Sequence, residues 1–142
     1  MAPQTHDSAR GENAVKRGEY SHFEHKLRDR WYALRDETRE ALSRSDNEGY
    51  AEIAGRVTDL EDQSLADLLV DVNLAEITRD VQEIRAIEGA LRRVALGTYG
   101  TCVSCGQSIE HERLEAHPTA NRCAACQRAY EHSHATTPTP RL

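Results

Sequence analysis

All four cysteines of this 142-residue chain fall within one 25-residue stretch, as two Cys-x-x-Cys pairs separated by 17 residues. Each pair forms a tight turn whose two sulfurs can reach one cation, and two pairs complete the tetrahedral four-sulfur shell that Zn²⁺ prefers. Gly106, directly after the first pair, suits such a turn. Four protein ligands leave no open coordination position, so the spacing predicts one structural zinc ion. The predicted ligands are Cys102, Cys105, Cys123 and Cys126.

Two disulfides are an alternative use of the same cysteines. The first twenty residues contain no apolar stretch typical of a secretory signal, so we expect a cytoplasmic protein whose thiols stay reduced. A thioredoxin-like redox pair would need a βαβ context, and the sequence has none. Because four thiolates fill the zinc shell, we expect the histidines near the cysteines to lie on the surface: His111, His117, His132 and His134. His22 and His25, near the start of the first helix, have no ligand spacing to another histidine or acid, so we expect them to face solvent as well.

The composition excludes several classes of protein. Seven aromatic residues cannot build a large multilayer core, because aromatic side chains dominate buried area. A net charge of −6 argues against binding held mainly by nucleic-acid phosphates. No apolar run approaches the roughly 18 residues of a membrane span. There is no glycine-rich phosphate loop and no nucleophile elbow, so we do not expect an enzyme.

Two long segments show helical periodicity with one narrow apolar seam each. The first seam comprises Tyr20, Phe23, Leu27, Trp31, Leu34, Thr38, Ala41 and Leu42. The second segment, from about Ser64 to Leu96, carries Leu65, Leu69, Val70, Leu74, Ile77, Val81, Ile84, Ile87, Leu91 and Val94. As one helix, its roughly 33 residues would be about 50 Å long. The two seams most simply bury each other, which predicts an antiparallel coiled-coil hairpin.

The connection between the helices, residues 43–63, is rich in turn formers, and residues 50–57 could add one or two helical turns. Asp59, Glu61 and Asp62 then precede the second helix, for which Asp62 or Ser64 is a suitable N-cap. The predicted fold is therefore mostly α: a coiled-coil hairpin over 19–97 with an acidic tip around 59–64, and a zinc finger with a short C-terminal helix over 98–134. We expect a flexible arm at 1–18 and a disordered tail at 135–142.

One stretch of about 40 residues resembles the zinc-finger signature of the DksA/TraR family. It contains Ala90-Leu91-Arg92-Arg93, Gly97-Thr98-Tyr99-Gly100-Thr101-Cys102-Val103-Ser104-Cys105-Gly106, Ile109, Glu112 to Ala120, and Cys123-Ala124-Ala125-Cys126-Gln127. The hairpin resembles the family's architecture more loosely, so that the resemblance spans roughly residues 20–132. The resemblance implies a monomeric transcription regulator that binds bacterial RNA polymerase directly and does not itself bind DNA.

In that family the coiled coil inserts into the secondary channel of polymerase, and two aspartates of a D-x-x-D-x-A pattern approach the catalytic centre to modulate initiation. Here the resemblance assigns that role to Asp59 and Asp62, with Ser64 in place of the usual alanine. The family also takes part in the stringent response, in which basic side chains near the zinc end help to hold guanosine tetraphosphate. Ala86, His117 and Gln127 occupy those positions, and a tetraphosphate needs Arg or Lys donors. We therefore expect a weak or absent response to the nucleotide.

Three other functions stay open on the sequence. A zinc-ribbon DNA-binding protein is one, although residues 99–131 carry four acids against three arginines, a poor footprint for phosphates. A coiled-coil adaptor for another partner is the second. Redox sensing by the zinc thiolates is a possible additional role, because such thiolates can be oxidised.

Overall fold

The structure, a computed structural model, describes residues 19–60 and 63–135. The described residues contain six helices and no β-strand, apart from one isolated antiparallel bridge between Thr101 and Ser108. The mostly α fold that the periodicity predicted is confirmed. None of the described helices is both long and apolar enough to cross a membrane. The helices are α1 (Tyr20–Arg44), α2 (Glu48–Thr58), α3 (Leu65–Leu69), α4 (Ala75–Leu96), α5 (His111–Ala116) and α6 (Ala124–Ala135).

The chain divides into two compact units, residues 24–92 and the remainder. In the first unit, α1 and α4 run antiparallel, as the two seams predicted. Arg30 pairs with Glu83 across the two helices at 2.7 Å, and Arg44 pairs with Glu76 near the end of α1 at 3.3 Å. Between these polar contacts the apolar seams meet. Their buried members in this unit include Leu27, Leu34, Leu42, Ile77, Ile84 and Ile87.

The connection after α1 is more helical than the sequence predicted. Only residues 45–47 separate α1 from α2, and the Asn47 side chain caps α2 by accepting from the Gly49 amide at 2.8 Å. The helix α2 is eleven residues long and includes Gly55, whereas the sequence predicted one or two helical turns. The burial of Ala54 and Val57 offsets the conformational entropy that Gly55 loses in the helix.

The second predicted helix is broken, which corrects the expectation of one helix from Ser64 to Leu96. The structure has α3 and α4 separated by residues 70–74, which we call the break segment. Val72 in this segment is buried, and the Asn73 amide donates to the Tyr50 hydroxyl at 3.1 Å instead of to a helical carbonyl. Asp and Asn side chains favour local hydrogen bonds that compete with a helix, and valine loses side-chain freedom in a helix. A break in the helix therefore needs neither glycine nor proline.

The second unit combines the start of α1, the end of α4 and residues 97–135. Its core is formed by Phe23, Tyr99, Ile109 and Leu114, each at most 1% exposed. The ring centroids of Phe23 and Tyr99 lie 5.5 Å apart. The predicted arm at 1–18 and residues 136–142 of the predicted tail lie outside the described residues, while Ala135 ends α6.

Candidate zinc centre and acidic segment

The structure brings the four predicted cysteines together. Their Sγ atoms all lie within 4.8 Å of one another, and those of Cys105 and Cys123 are 4.0 Å apart. A tetrahedral zinc site with Zn–S bonds of about 2.3 Å needs sulfurs about 3.8 Å apart. Cys102 and Cys123 are buried, whereas Cys105 is exposed, so the cluster lies at the surface with two ligands anchored in the interior. The geometry fits one four-sulfur zinc site.

The first Cys-x-x-Cys turn is closed by backbone hydrogen bonds. The Gly106 amide donates to the Cys102 carbonyl at 2.9 Å, and the Cys102 amide donates to the Gln107 carbonyl at 2.7 Å. Gly106 has a φ of 76°, in the left-handed region that favours glycine, which explains its place directly after the pair. The Ser104 amide points at Cys102 Sγ at 3.4 Å, a contact that favours the thiolate.

The second turn is tied to the first and continues into α6. The Val103 amide, inside the first pair, donates to the Asn121 carbonyl at 2.9 Å. The Gln127 amide donates to the Cys123 carbonyl at 2.8 Å, so Cys126 sits in the first turn of α6. A Glu110 carboxylate oxygen accepts a hydrogen bond from the Ala124 amide at 3.3 Å, at the start of that helix. These hydrogen bonds hold the four sulfur atoms near one another independently of a metal ion.

The thiol pKa values indicate that the cluster needs a bound cation to hold four thiolates. Burial opposes ionisation of Cys102, but hydrogen bonds from the backbone of Cys123, Cys105 and Ser104 outweigh it and lower the pKa of Cys102 to about 6. Side-chain hydrogen bonds with the other three thiols, Cys123 first, raise the pKa of Cys126 to about 12. One thiol ionises easily and another is held protonated, because four adjacent thiolates repel each other without a cation between them.

Tyr99 connects this module internally, a role that the sequence analysis did not assign to it. Its hydroxyl donates to the Pro118 carbonyl at 2.7 Å, and its own carbonyl accepts from the Tyr20 hydroxyl at 2.8 Å. Burial raises the pKa of Tyr99, so the phenol stays protonated and remains a donor. Tyr99 therefore joins the start of α1 to the loop before the second cysteine pair.

None of the described histidines takes part in the metal cluster, and among the described residues the cysteines form the only such group. His22 is exposed and lies 3.1 Å from a Glu115 carboxylate oxygen. His111 is half-buried against the Phe23 ring, with centroids 5.6 Å apart, and His134 stacks on Tyr130 at 3.9 Å. Hence His111 departs from the predicted surface position, because the start of α1 covers it.

The acidic segment belongs to the unit of residues 24–92, and the structure describes only part of it. Asp59 is exposed at the end of α2, where its amide bonds to the Gly55 carbonyl at 3.3 Å. Ser64 is the N-cap of α3, with its hydroxyl accepting from the Asp67 amide at 3.1 Å. This confirms Ser64 as one of the two predicted caps. Asp62, the other, and Glu61 lie outside the described residues.

Glu88 is a second residue that sequence reasoning missed. One of its carboxylate oxygens accepts from the Ser64 hydroxyl at 2.6 Å, and the other from the Leu65 amide at 2.9 Å. The Trp31 indole N–H also donates to this carboxylate, at 2.9 Å. The side chain is half-buried on α4, beside the buried Ile87. The acidic segment therefore ends at a hydrogen-bonded junction with α1 and α4.

Comparison with known proteins identifies the family. Residues 97–132 match the prokaryotic dksA/traR C4-type zinc finger. The RNA polymerase-binding transcription factor DksA of Salmonella typhimurium is 31% identical over 117 residues, which cover 82% of this chain and 74% of that protein. The chain belongs to the DksA/TraR family. Its four cysteines accordingly bind one structural zinc ion, as the spacing predicted.

Two further relatives extend the comparison of this DksA/TraR protein. General stress protein 16O of Bacillus subtilis is 32% identical over 117 residues, covering 80% of this chain and 69% of that protein. The solution structure of a DnaK suppressor protein from Agrobacterium tumefaciens is similar with a TM-score of 0.50 and 34% identity, covering 77% of this chain and 91% of that chain. The similarity therefore extends well beyond the zinc finger.

The three positions assigned to guanosine tetraphosphate carry no fixed positive charge in this DksA/TraR protein. Ala86 is exposed on α4, in the unit of residues 24–92. In the other unit, His117 is exposed after α5, and Gln127 donates its side-chain amide to Glu131 at 2.8 Å on α6. The acid beside Gln127 makes that position less suitable for a polyphosphate.

Proposed function

We propose that this protein binds bacterial RNA polymerase directly and regulates transcription. The observation that carries the proposal is the 31% identity, over most of both chains, to a protein named RNA polymerase-binding transcription factor DksA. The zinc centre supports it, because a closed four-sulfur site stabilises the fold and performs no chemistry itself. The names of these relatives also agree with the prediction that the chain is not an enzyme. A cytoplasmic location is part of this proposal, because a protein that binds bacterial RNA polymerase acts where the polymerase is.

Within this function, Asp59 and Asp62 act at the polymerase active centre after the helical hairpin enters the secondary channel. Asp59 is exposed at the end of α2, so its carboxylate is accessible to a partner. Carboxylates are hard oxygen ligands, so they can perturb a Mg²⁺ ion or the basic residues around it. The charge of the segment, rather than its packing, carries the effect on initiation.

The decisive experiment uses the double variant D59N/D62N in polymerase binding and in transcription from purified components. We expect binding to change less than twofold and the effect on initiation to disappear, because Asn keeps the shape and removes the charge. The matched control D46N/E52Q removes two charges from exposed positions in the same connection and should keep the full effect. Absence of binding by the wild-type protein would refute the proposed function.

The response to guanosine tetraphosphate tests the site more finely. We propose that the nucleotide changes the activity of the wild-type protein little, because Ala86, His117 and Gln127 supply no permanent cation. The triple variant A86K/H117R/Q127K should gain a response, since it restores donors for phosphate oxygens. A strong nucleotide response of the wild-type protein would show that other residues bind the tetraphosphate. A gel shift with DNA that weakens steeply with salt would instead favour a DNA-binding role.

A further inference from the structure

The loop between α5 and the second cysteine pair, residues 117–122, is held by donors that lie outside it. Four of its backbone carbonyls accept a hydrogen bond from elsewhere in the unit that contains the zinc centre. The bonds run from the Tyr99 hydroxyl to Pro118 at 2.7 Å, from the Arg93 guanidinium to Thr119 at 3.3 Å, from the Val103 amide to Asn121 at 2.9 Å, and from Arg113 Nε to Arg122 at 2.9 Å. Because each bonded carbonyl fixes the direction of its peptide, these donors set the path of the loop towards Cys123.

Arg113 holds the last peptide of this loop. The Arg122 carbonyl that accepts from its Nε belongs to the same planar peptide as the Cys123 amide, so one hydrogen bond sets the plane that precedes the ligand. Arg113 is half-buried on α5, directly before Leu114, which is fully buried in the core of the unit. The donor is therefore anchored from the interior, and it acts on a ligand that is itself only 1% exposed.

The two cysteine pairs are positioned in different ways. The turn of the first pair is closed by its own backbone, through the bond from the Gly106 amide to the Cys102 carbonyl. In the second pair, the Gln127 amide donates to the Cys123 carbonyl and so fixes the chain after this ligand, where α6 begins. The chain before Cys123 is irregular, and helical hydrogen bonds do not set its direction. Arg113 supplies a constraint on that side.

Arg113 has two properties that can act on the zinc centre, an N–H donor and a positive charge. The observed bond runs from Nε to a neutral backbone carbonyl, which a neutral N–H at the same place would also satisfy. A Zn²⁺ ion with four thiolates has a net negative charge, so a nearby positive charge favours it without any hydrogen bond. The two properties can be separated, because a glutamine side chain has its amide nitrogen at the position of arginine Nε and a lysine side chain has a methylene there.

We infer that Arg113 is a positioning residue of the zinc centre: its Nε donor fixes the peptide before Cys123, so that this ligand is in place before the metal binds. Without the bond, zinc binding itself must order the end of the loop, and the free energy that this ordering costs lowers the affinity. Hydrogen bonds that orient metal ligands change metal affinity roughly 10–100-fold, and we expect about tenfold for this one. The inference does not depend on binding to polymerase.

The first test is competition for zinc with a chelator of known affinity, using the full chain and three variants whose side chains follow that of arginine as far as Nε. R113M places a methyl group at that position, R113K places a methylene there and keeps the charge, and R113Q places an amide N–H there without the charge. Zinc affinity should fall about tenfold in R113M and R113K and stay within about threefold of the wild-type value in R113Q.

The matched control for charge is R128M, which removes an exposed arginine two residues after Cys126. Its zinc affinity should stay within about twofold of the wild-type value, because an exposed charge acts weakly. A loss of affinity in R113Q as large as in R113M would overturn the inference, since the charge would then be the property that acts. Unchanged affinity in R113M would overturn it as well.

The second test separates positioning from a general loss of stability. It measures hydrogen exchange of the zinc-loaded full chain at the amides of Ala120 and Ala124, which are hydrogen-bonded on either side of the held peptide. R113M should raise exchange at both amides about threefold or more, and R113Q should leave both unchanged, because only the end of the loop loses its constraint. The amides of Thr98 and Ile109, hydrogen-bonded outside the loop, should exchange at the wild-type rate in both variants. Faster exchange at all four amides in R113M would show a merely structural role and overturn the inference, as would unchanged exchange at Ala120 and Ala124.

Discussion

Replacing Tyr99 with Phe tests whether the zinc centre depends on the residue that connects its module. The change removes one hydroxyl and leaves the Pro118 carbonyl without its 2.7 Å donor. A typical buried hydrogen bond contributes about 1 kcal/mol net, and a fully buried orphan acceptor costs up to about 3 kcal/mol. Pro118 is only half-buried, so water can reach its carbonyl, and Y99F should lower the free energy of unfolding by about 1 kcal/mol. Because metal binding and folding of such a module are coupled, this loss weakens zinc binding about fivefold.

The assay is competition for zinc with a chelator of known affinity, at one fixed pH and ionic strength. Y130F is the matched control, since it removes the same hydroxyl from a tyrosine that is exposed on α6. We expect its zinc affinity to stay within twofold of the wild-type value. Equal zinc affinity of Y99F and the wild-type protein would show that the loop before Cys123 does not need the Tyr99 hydroxyl.

Three further predictions concern stability. G55A should stabilise the protein by up to about 1 kcal/mol in denaturant unfolding, because a methyl group there meets no atom within 4 Å and alanine favours helix. G106A should destabilise the zinc-loaded protein by about 1 kcal/mol, because its φ of 76° suits glycine alone. Burial, followed by the charges of Glu37 and Glu83, raises the pKa of Asp80. D80N should therefore stabilise the protein at pH 7, and the gain should vanish as the pH falls below about 3.8, where the unfolded carboxyl is protonated as well. Equal unfolding free energies of D80N and wild-type protein at both pH values would contradict this assignment.

The metal centre could be predicted from sequence because its determinants are local. Two short spacings bring Cys102 near Cys105 and Cys123 near Cys126, and the glycine at 106 supplies the left-handed turn. Ser64 as the cap of a helix follows equally from the residues around it. The support from Tyr99 was not predictable in this way, since its partners Tyr20 and Pro118 lie 79 and 19 residues away.

The break between α3 and α4 could not be predicted, because periodicity reports only which residues are apolar. Val70 and Val72 both fit a helical region of apolar character, yet one is exposed and the other buried. The amides that leave the helix find partners on Tyr50 and Glu88, and neither partner is near them in sequence. Long-range hydrogen bonds and the burial of Val72, neither of which the local pattern reports, thus accompany the break.

Three acids of α4 show why charge patterning alone does not locate function in a protein of this kind. Glu83 is exposed, and its hydrogen bond with Arg30 lowers its pKa. Asp80 is half-buried, with Arg79 no closer than 3.9 Å, and burial raises its pKa. Glu88 is half-buried and accepts three hydrogen bonds, from Trp31, Ser64 and Leu65. All three are acids on α4, but neutralising Glu83 should weaken an ion pair, neutralising Asp80 should relieve a desolvation cost, and neutralising Glu88 should weaken the hydrogen bonds that it accepts. The burial and hydrogen-bond partners of each acid, rather than its charge alone, therefore determine the effect of replacing it.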